Sequence, residues 1–351
     1  MPIVTLRELL DHAAEHDYAI PAFNVNNMEQ IQAILEAANA VSAPVILQAS
    51  RGARSYAGDT VLAALIRSTS NMYPNVPLCM HQDHGNSVAT CVSAIRHGFT
   101  SVMMDGTLQA DGKTLGDYDY NTSVTRETVK IAHMVGASVE GEIGHLGSLE
   151  TGQGEAEDGH GFEGTLTRDD LLTKPDEAAS FVRDTGVDAL AIAIGTSHGA
   201  YKFSRKPDGE TLAIAQLEKI RGRLPDTHFV LHGASSVPES LQDIVTSNGG
   251  ELRPAFGVPV EEIEACIRLG VRKVNIDTDL RLAMTGAIRR VFTKTPEEFD
   301  PRKYLGEARK AMASLCRERF ERFGAAGHAR GITCLSMDEM ARRYTAKTAD
   351  A

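Results

Sequence analysis

His97-Gly98-Phe99-Thr100-Ser101-Val102 and Leu269-Gly270-Val271-Arg272-Lys273-Val274 share one construction: a segment of helical periodicity stops at a glycine and passes within a few residues into a short apolar run. Glycine supplies the left-handed backbone that closes a helix, and the β-branched residues then favour extended chain. Each stretch therefore predicts a helix-to-strand joint, and the joint recurs at Gly136 and Gly186. Outward from these joints, eight apolar stretches stand out, at residues 20–25, 45–49, 77–81, 101–105, 138–143, 189–195, 228–232 and 271–276. Amphipathic helical patterns fall between them, for example over 28–40, 87–97, 125–135, 176–185 and 238–246. This alternation predicts an α/β fold whose parallel sheet closes on itself, a (β/α)8 TIM barrel, rather than an open sheet.

With 351 residues, 42% of them hydrophobic, the chain can bury one large core, and a single barrel domain accounts for residues 1–351. The stretch from about 290 to 351 carries charged helical patterns without another strand signal and is expected to be a helical extension on the barrel. Two connections, 106–124 and 144–167, are too long for plain joints, and the second is rich in Gly and Glu. Loops of that length in a compact domain usually serve as functional lids.

A net charge of −11 argues against nucleic acid or an anionic membrane as partner, because both reward clustered Lys and Arg. A small phosphorylated ligand stays open, since a few backbone N–H groups and one cation suffice locally. The five cysteines form no C-x-x-C pair and are odd in number, so buried reduced thiols are expected. No apolar run approaches the roughly 18 residues that span a bilayer, and Met1 to Thr5 leads directly into a helix-like segment, so the cytoplasm is the expected compartment.

The unusual polar residues gather at the C-terminal ends of the candidate strands, where barrel enzymes build their sites. Three of these ends offer an imidazole: His81-Gln82-Asp83-His84-Gly85, Thr196-Ser197-His198-Gly199 and Leu231-His232-Gly233-Ala234-Ser235. One such histidine is more often a hydrogen-bonded structural residue than a ligand. Three at one rim match catalytic zinc, which takes three protein ligands and keeps a position open. Carboxylates cluster likewise, with Asp83 beside His84, Asp105 ending its strand, and Glu140 and Glu142 on one face of theirs. Buried charges of that kind call for a cation. Small residues that could admit a phosphate follow the last three strands, in Gly199 with Lys202, in Gly233 to Ser236, and in Asn275-Ile276-Asp277-Thr278.

Taken together, Cys79-Met80-His81-Gln82-Asp83-His84, Gly195-Thr196-Ser197-His198-Gly199-Ala200-Tyr201-Lys202, His232-Gly233-Ala234-Ser235-Ser236 and Asn275-Ile276-Asp277-Thr278-Asp279 resemble the class II, zinc-dependent fructose-bisphosphate aldolases. The likeness covers residues 1 to about 345 and leans to the Calvin-cycle subtype through Gly147-Ser148-Leu149-Glu150-Thr151-Gly152 and residues 186–203. The resemblance implies that His84, His198 and His232 bind catalytic zinc and that Asp105 and Glu142 bind a second divalent metal, with His81 near it. It implies Asp83 as the acid/base at the C4 oxygen and Ser50 as a contact to the glyceraldehyde 3-phosphate half. Gly199, Gly233, Ala234, Ser235, Asn275, Ile276, Asp277 and Thr278 match the dihydroxyacetone-phosphate site, assisted by Lys202, and a monovalent cation fits the same pattern.

The family's mobile loop carries a Glu that moves the C3 proton. Glu157-Asp158-Gly159 makes Glu157 the match, although relatives often have two consecutive glutamates there and this chain has Ala156-Glu157, with Glu155 one step back. Arg281 is suited to pair with a second phosphate and favours fructose 1,6-bisphosphate over its C4 epimer, tagatose bisphosphate. The family further implies a homodimer or homotetramer acting on phosphorylated sugars, with sedoheptulose bisphosphate as a further candidate. A zinc barrel hydrolase would need no phosphate cradle and is disfavoured by the lack of an H-x-H pair on the first strand, whereas in a noncatalytic, metal-stabilised scaffold His84→Ala would lower stability with no aldol activity to lose.

Overall fold

The computed structural model describes residues 3–149, 156–157, 160–162, 164–198, 203 and 211–349. The strands, in chain order, are β1 (Ile20–Asn24), β2 (Val45–Ser50), β3 (Leu78–Gly85), β4 (Ser101–Met104), β5 (Ser138–Ile143), β6 (Ala156–Glu157), β7 (His160–Gly161), β8 (Ala189–Ile192), β9 (His228–Leu231) and β10 (Val271–Ile276). Eight of them close into a parallel barrel in the order β1-β10-β9-β8-β5-β4-β3-β2, while β6 and β7 form a separate antiparallel pair. The (β/α)8 barrel read from the alternating segments is thus the fold. The four glycine joints hold as well, with φ of 87° at Gly98, 83° at Gly136, 74° at Gly186 and 101° at Gly270.

Strands enclosed on both faces read as continuous apolar runs because helices cover the outside. Helix Leu6–Glu15, capped reciprocally by Thr5 and Glu8, lies across the N-terminal end and touches β1, β3, β5, β9 and β10. Helix Pro175–Thr185 comes close to β5 because Gly141 has no side chain; a Cβ there would meet Phe181 at 2.8 Å and Val187 at 2.9 Å. Burial of a ring such as Phe181 contributes about 1.5–3 kcal/mol. Gly141 therefore faces outward under Phe181, and its neighbours Glu140 and Glu142 face the barrel interior.

The connection read as a loop over 106–124 is shorter than expected, since helix Tyr118–Met134 begins within it. Asp117 accepts the Tyr120 N–H at 2.8 Å and starts the helix through a cap rather than through apolar periodicity. The chain past the last strand is helical, as expected: Thr278–Lys294, Pro301–Arg322 and Met337–Ala349. Helix Pro301–Arg322 packs on both Met28–Val41 and Thr278–Lys294. From it the buried Arg319 reaches Asp279 at 3.2 Å and Ser236 at 2.6 Å, so the extension props up the segment after β9. Cys79, Cys91, Cys266 and Cys316 are buried free thiols and Cys334 is exposed. No helix among the described residues is long and apolar enough to cross a membrane.

Candidate metal centre and substrate cavity

The pairing of β3 with β4 slips between Gln82 and Gly85, and within that irregularity His84 takes a φ of 45°. A bulge re-aims side chains at a strand end. Here it turns His84 toward His232, at the end of β9, and His198, beyond β8, with ring centroids 4.7 Å and 4.9 Å away. The ligand atoms of His84, His198 and His232 all lie within 4.8 Å of one another, as do those of a second set, His84, Asp105 and Glu142.

Hydrogen bonds on the outer ring nitrogens decide which inner nitrogens are left for a metal. His84 Nδ1 is 2.9 Å from Asp105 Oδ2, and His232 Nε2 is 2.7 Å from Glu140 Oε1. A carboxylate can only accept, so both outer nitrogens carry protons and both inner ones, His84 Nε2 and His232 Nδ1, carry lone pairs. Those two inner atoms are 3.0 Å apart. Bare lone pairs at that separation repel, so the pair requires a cation between them, a proton or a metal ion. The charge balance agrees. Burial lowers the His84 pKa, but Asp83, Asp105 and Glu142 outweigh it and raise it well above the ordinary imidazole value. His232 is driven the other way by burial and by His84 and Lys273. Asp105 is pulled down to about 2, burial opposing and His84 with Thr107 prevailing. The residues present therefore fit a divalent cation of the zinc type.

Asp83 stands beside this pair, its Oδ1 4.0 Å from His84 Nε2. Asn24 Nδ2 donates to its Oδ2 at 2.9 Å and Gln48 Nε2 at 3.3 Å, while Asn275 Nδ2 lies 3.5 Å from Oδ1 and 3.1 Å from His232 Nδ1. Burial raises the Asp83 pKa, yet His84, His232, Lys273 and the Asn24 amide outweigh it and hold the carboxyl below its usual range. The result is an ionised carboxylate with one oxygen tied down and the other toward the metal position.

An open cavity of about 960 Å³ lies over these groups. Of the expected residues it is lined by Ser50, Asp83, His84, Asp105, Glu142, His198, Gly233, Ser235, Asn275, Asp277 and Thr278. His232, Ala234 and Ile276 are buried beneath its surface. Arg281 is absent from the wall; one turn into its helix, it pairs with Asp277 through Nε at 2.9 Å and Nη2 at 2.6 Å. His81 lies deeper than the second metal set, 2.9 Å from Ser101 Oγ. Gly199, Lys202 and Glu155 fall outside the described residues, and of Glu157 the backbone alone is described, paired with His160. Among the lining residues that were not expected are Arg51, Thr107, His145 and Phe162. Arg51 and His145 directly follow the Ser50 and Gly144 positions at strand ends, and that adjacency was the available signal.

A parallel barrel whose C-terminal rim joins three imidazoles that could hold a cation, a second carboxylate set and an ionised aspartate to one open cavity fits the class of barrel enzymes that work with a divalent metal. Comparison with known proteins makes the class particular. The family model described as fructose-bisphosphate aldolase class-II matches residues 4–328, and the chain belongs to that family, an aldolase and hence a lyase. A fructose-bisphosphate aldolase of Rhizobium meliloti is 66% identical over 344 residues, spanning 98% of this chain and 96% of that protein. One from Nostoc commune is 61% identical over 344 residues, with the same coverage of 98% and 96%. Among solved structures, the YdjI aldolase from Escherichia coli K12 superposes with a TM-score of 0.70 at 27% identity, covering 93% of this chain and all of that one.

Proposed function

We propose that this chain catalyses the reversible, zinc-dependent aldol cleavage of fructose 1,6-bisphosphate to dihydroxyacetone phosphate and glyceraldehyde 3-phosphate. The observation that carries the reading is the 3.0 Å approach of His84 Nε2 and His232 Nδ1, both outer nitrogens engaged by carboxylates, beside the ionised Asp83. His84, His198 and His232 would hold the catalytic zinc, and Asp105 and Glu142, sharing His84, a second divalent ion. Bound there, zinc supplies a Lewis acid for the negative charge that develops on the ketone oxygen during cleavage.

The chain's own residues then divide the remaining work. Asp83 accepts the C4 hydroxyl proton, the C4 oxygen forms the aldehyde, and the electrons of the C3–C4 bond pass to C3. Asn24 and Gln48 keep the second Asp83 oxygen occupied, so one oxygen alone meets the substrate. Glu157 returns a proton to C3, a role supported by the β6–β7 pair that carries it leading into Gly161 and Phe162 of the cavity wall. Gly233, Ser235, Asn275, Asp277 and Thr278 cradle the ketone-side phosphate, with Ala234 and Ile276 packed underneath; Gly199 and Lys202, outside the described residues, are assigned to the same phosphate by the resemblance alone. The distal phosphate goes to Ser50 and Arg51, Arg51 being the one Lys or Arg in the cavity wall among the described residues. Arg281, through Asp277, stands at the same opening.

A retro-aldol assay tests the reading. Activity disappears with a chelator, returns with zinc, and survives borohydride in the presence of substrate; inactivation by borohydride would mean a Schiff base and sink the proposal. Comparison of fructose and tagatose bisphosphates tests the C4 preference, with better turnover of the latter overturning it. A cytoplasmic homodimer or homotetramer completes the proposal, and light scattering distinguishes the two states.

A further inference from the structure

One step below the metal centre, the barrel interior holds a charged layer that neither the metal sets nor the cavity uses. His81, Glu140 and Lys273 precede Asp83, Glu142 and Asn275 by two residues on β3, β5 and β10, so each shares its partner's inward face. All three are fully buried. Lys273 Nζ lies 2.9 Å from Glu140 Oε2, and His81 Nε2 lies 3.5 Å from the same oxygen. The other oxygen, Oε1, is the acceptor 2.7 Å from His232 Nε2. Lys273 does not line the cavity, so its amine is out of reach of a substrate.

Barrel interiors are ordinarily filled by Val, Ile and Leu, and replacing a buried ion pair by packed apolar residues is often neutral or stabilising. Stability is therefore a poor reason for a lysine here. The geometry gives a better one. Glu140 faces the His232 ring with one oxygen and, with the other, an ammonium 2.9 Å away that makes an ion pair without hydrogen-bond geometry, and an outer-shell carboxylate of that kind sets the tautomer and angle of the histidine it holds. Without the ammonium, the carboxylate is an uncompensated charge in a dry interior, and the far oxygen is left with only the His81 ring at 3.5 Å. We propose that Lys273 is a positioning residue of the metal centre: acting through Glu140, it holds the His232 ring with Nδ1 turned toward His84 and so sets the affinity for zinc.

This inference rests on the zinc reading above, and the two fail separately. Zn2+ affinity is measured by competition with a chromophoric chelator for wild type, K273M, E140Q and K273M/E140Q, with circular dichroism of the metal-free proteins as the check on folding. Methionine keeps the length of the lysine stem and removes its charge. K273M is expected to bind zinc roughly 10–100-fold more weakly than wild type. Adding K273M to E140Q is expected to change affinity by less than about threefold, because the group through which Lys273 acts is already altered. The d–d absorption of Co2+-substituted K273M should also shift from that of wild type. A folded K273M with wild-type zinc affinity overturns the proposal. So does a loss of more than about threefold on adding K273M to E140Q, a comparison that decides alone if K273M by itself does not fold. A wild-type protein that takes up no stoichiometric zinc refutes the metal reading instead.

Discussion

Gly233→Ala probes how the backbone itself holds two of the proposed metal ligands together. Gly233 has a φ of +59°, and a Cβ there would lie 2.5 Å from the Ser197 carbonyl oxygen and 2.6 Å from its carbon. Forcing alanine into the left-handed region costs about 1–2 kcal/mol, and overpacking against atoms that cannot rotate away costs about 1–3 kcal/mol more. An unfolding entropy of about 2.1 cal/mol/K per residue over 351 residues makes each kcal/mol worth about 1.4 °C, so the melting temperature should fall by about 3–7 °C. The overlap can be relieved only by moving Ser197 away from Gly233, which separates the adjacent His198 and His232, now 5.8 Å apart between ring centroids. Zinc affinity should therefore drop together with stability, by roughly 10–100-fold. Thermal melts of metal-free and zinc-loaded protein, with chelator competition, measure both. Gly222→Ala is the control, because its Cβ meets nothing within 4 Å in helix Ile214–Arg223, and it should leave the melt unchanged or raise it. A G233A protein that melts within a degree of wild type and keeps its zinc affinity refutes the reasoning.

Asp83→Asn should lower kcat by about 10²–10⁴ with little change in melting temperature, since the amide oxygen still accepts from Asn24 and Gln48; a kcat within threefold of wild type removes Asp83 as the acid/base. Arg51→Ala should raise KM for fructose 1,6-bisphosphate by about 10–150-fold, the equivalent of one charge-assisted hydrogen bond of about 1.5–3 kcal/mol, and an unchanged KM transfers the distal phosphate to Arg281. Asp11 tests acid stability away from the site. Burial raises its pKa, but His228 at 2.8 Å, Arg7 at 2.7 Å and Arg343 at 2.7 Å outweigh this and hold it well below the usual carboxylate range. A depressed carboxyl stabilises the fold above its unfolded pKa of about 3.9 and loses that contribution as pH falls toward the folded value. The melting-temperature gap between wild type and Asp11→Asn should accordingly shrink from about pH 6 to about pH 3, and a constant gap would contradict the linkage.

The barrel was legible because its signals are local. A glycine joint needs only its own φ, and Gly98, Gly136, Gly186 and Gly270 all have positive values. The start of helix Tyr118–Met134 was missed because a polar cap at Asp117, not a hydrophobic stripe, begins it. In the site, the candidate ligand histidines were named by resemblance, whereas their geometry could not be read. The direction His84 faces depends on a register slip between β3 and β4 that leaves no mark in composition. Asn24, Gln48 and Lys273 looked like ordinary members of their strands, since what they do is decided by partners on other strands: Asp83 for the first two, Glu140 for the third. Periodicity reports which face a residue occupies and is silent about who stands across the barrel.

Closure of the barrel by pairing β1 with β10 has a consequence for how the protein is made. During synthesis the chain emerges from its N-terminus, and until Val271–Ile276 has left the ribosome the nascent sheet has two open edges and no sealed interior. His84 emerges long before His232, and the lysine behind Glu140 comes later still. A growing chain therefore offers metal ions only separate imidazoles, and the metal sphere proposed above would be enclosed only once the barrel closes, so zinc loading would follow translation.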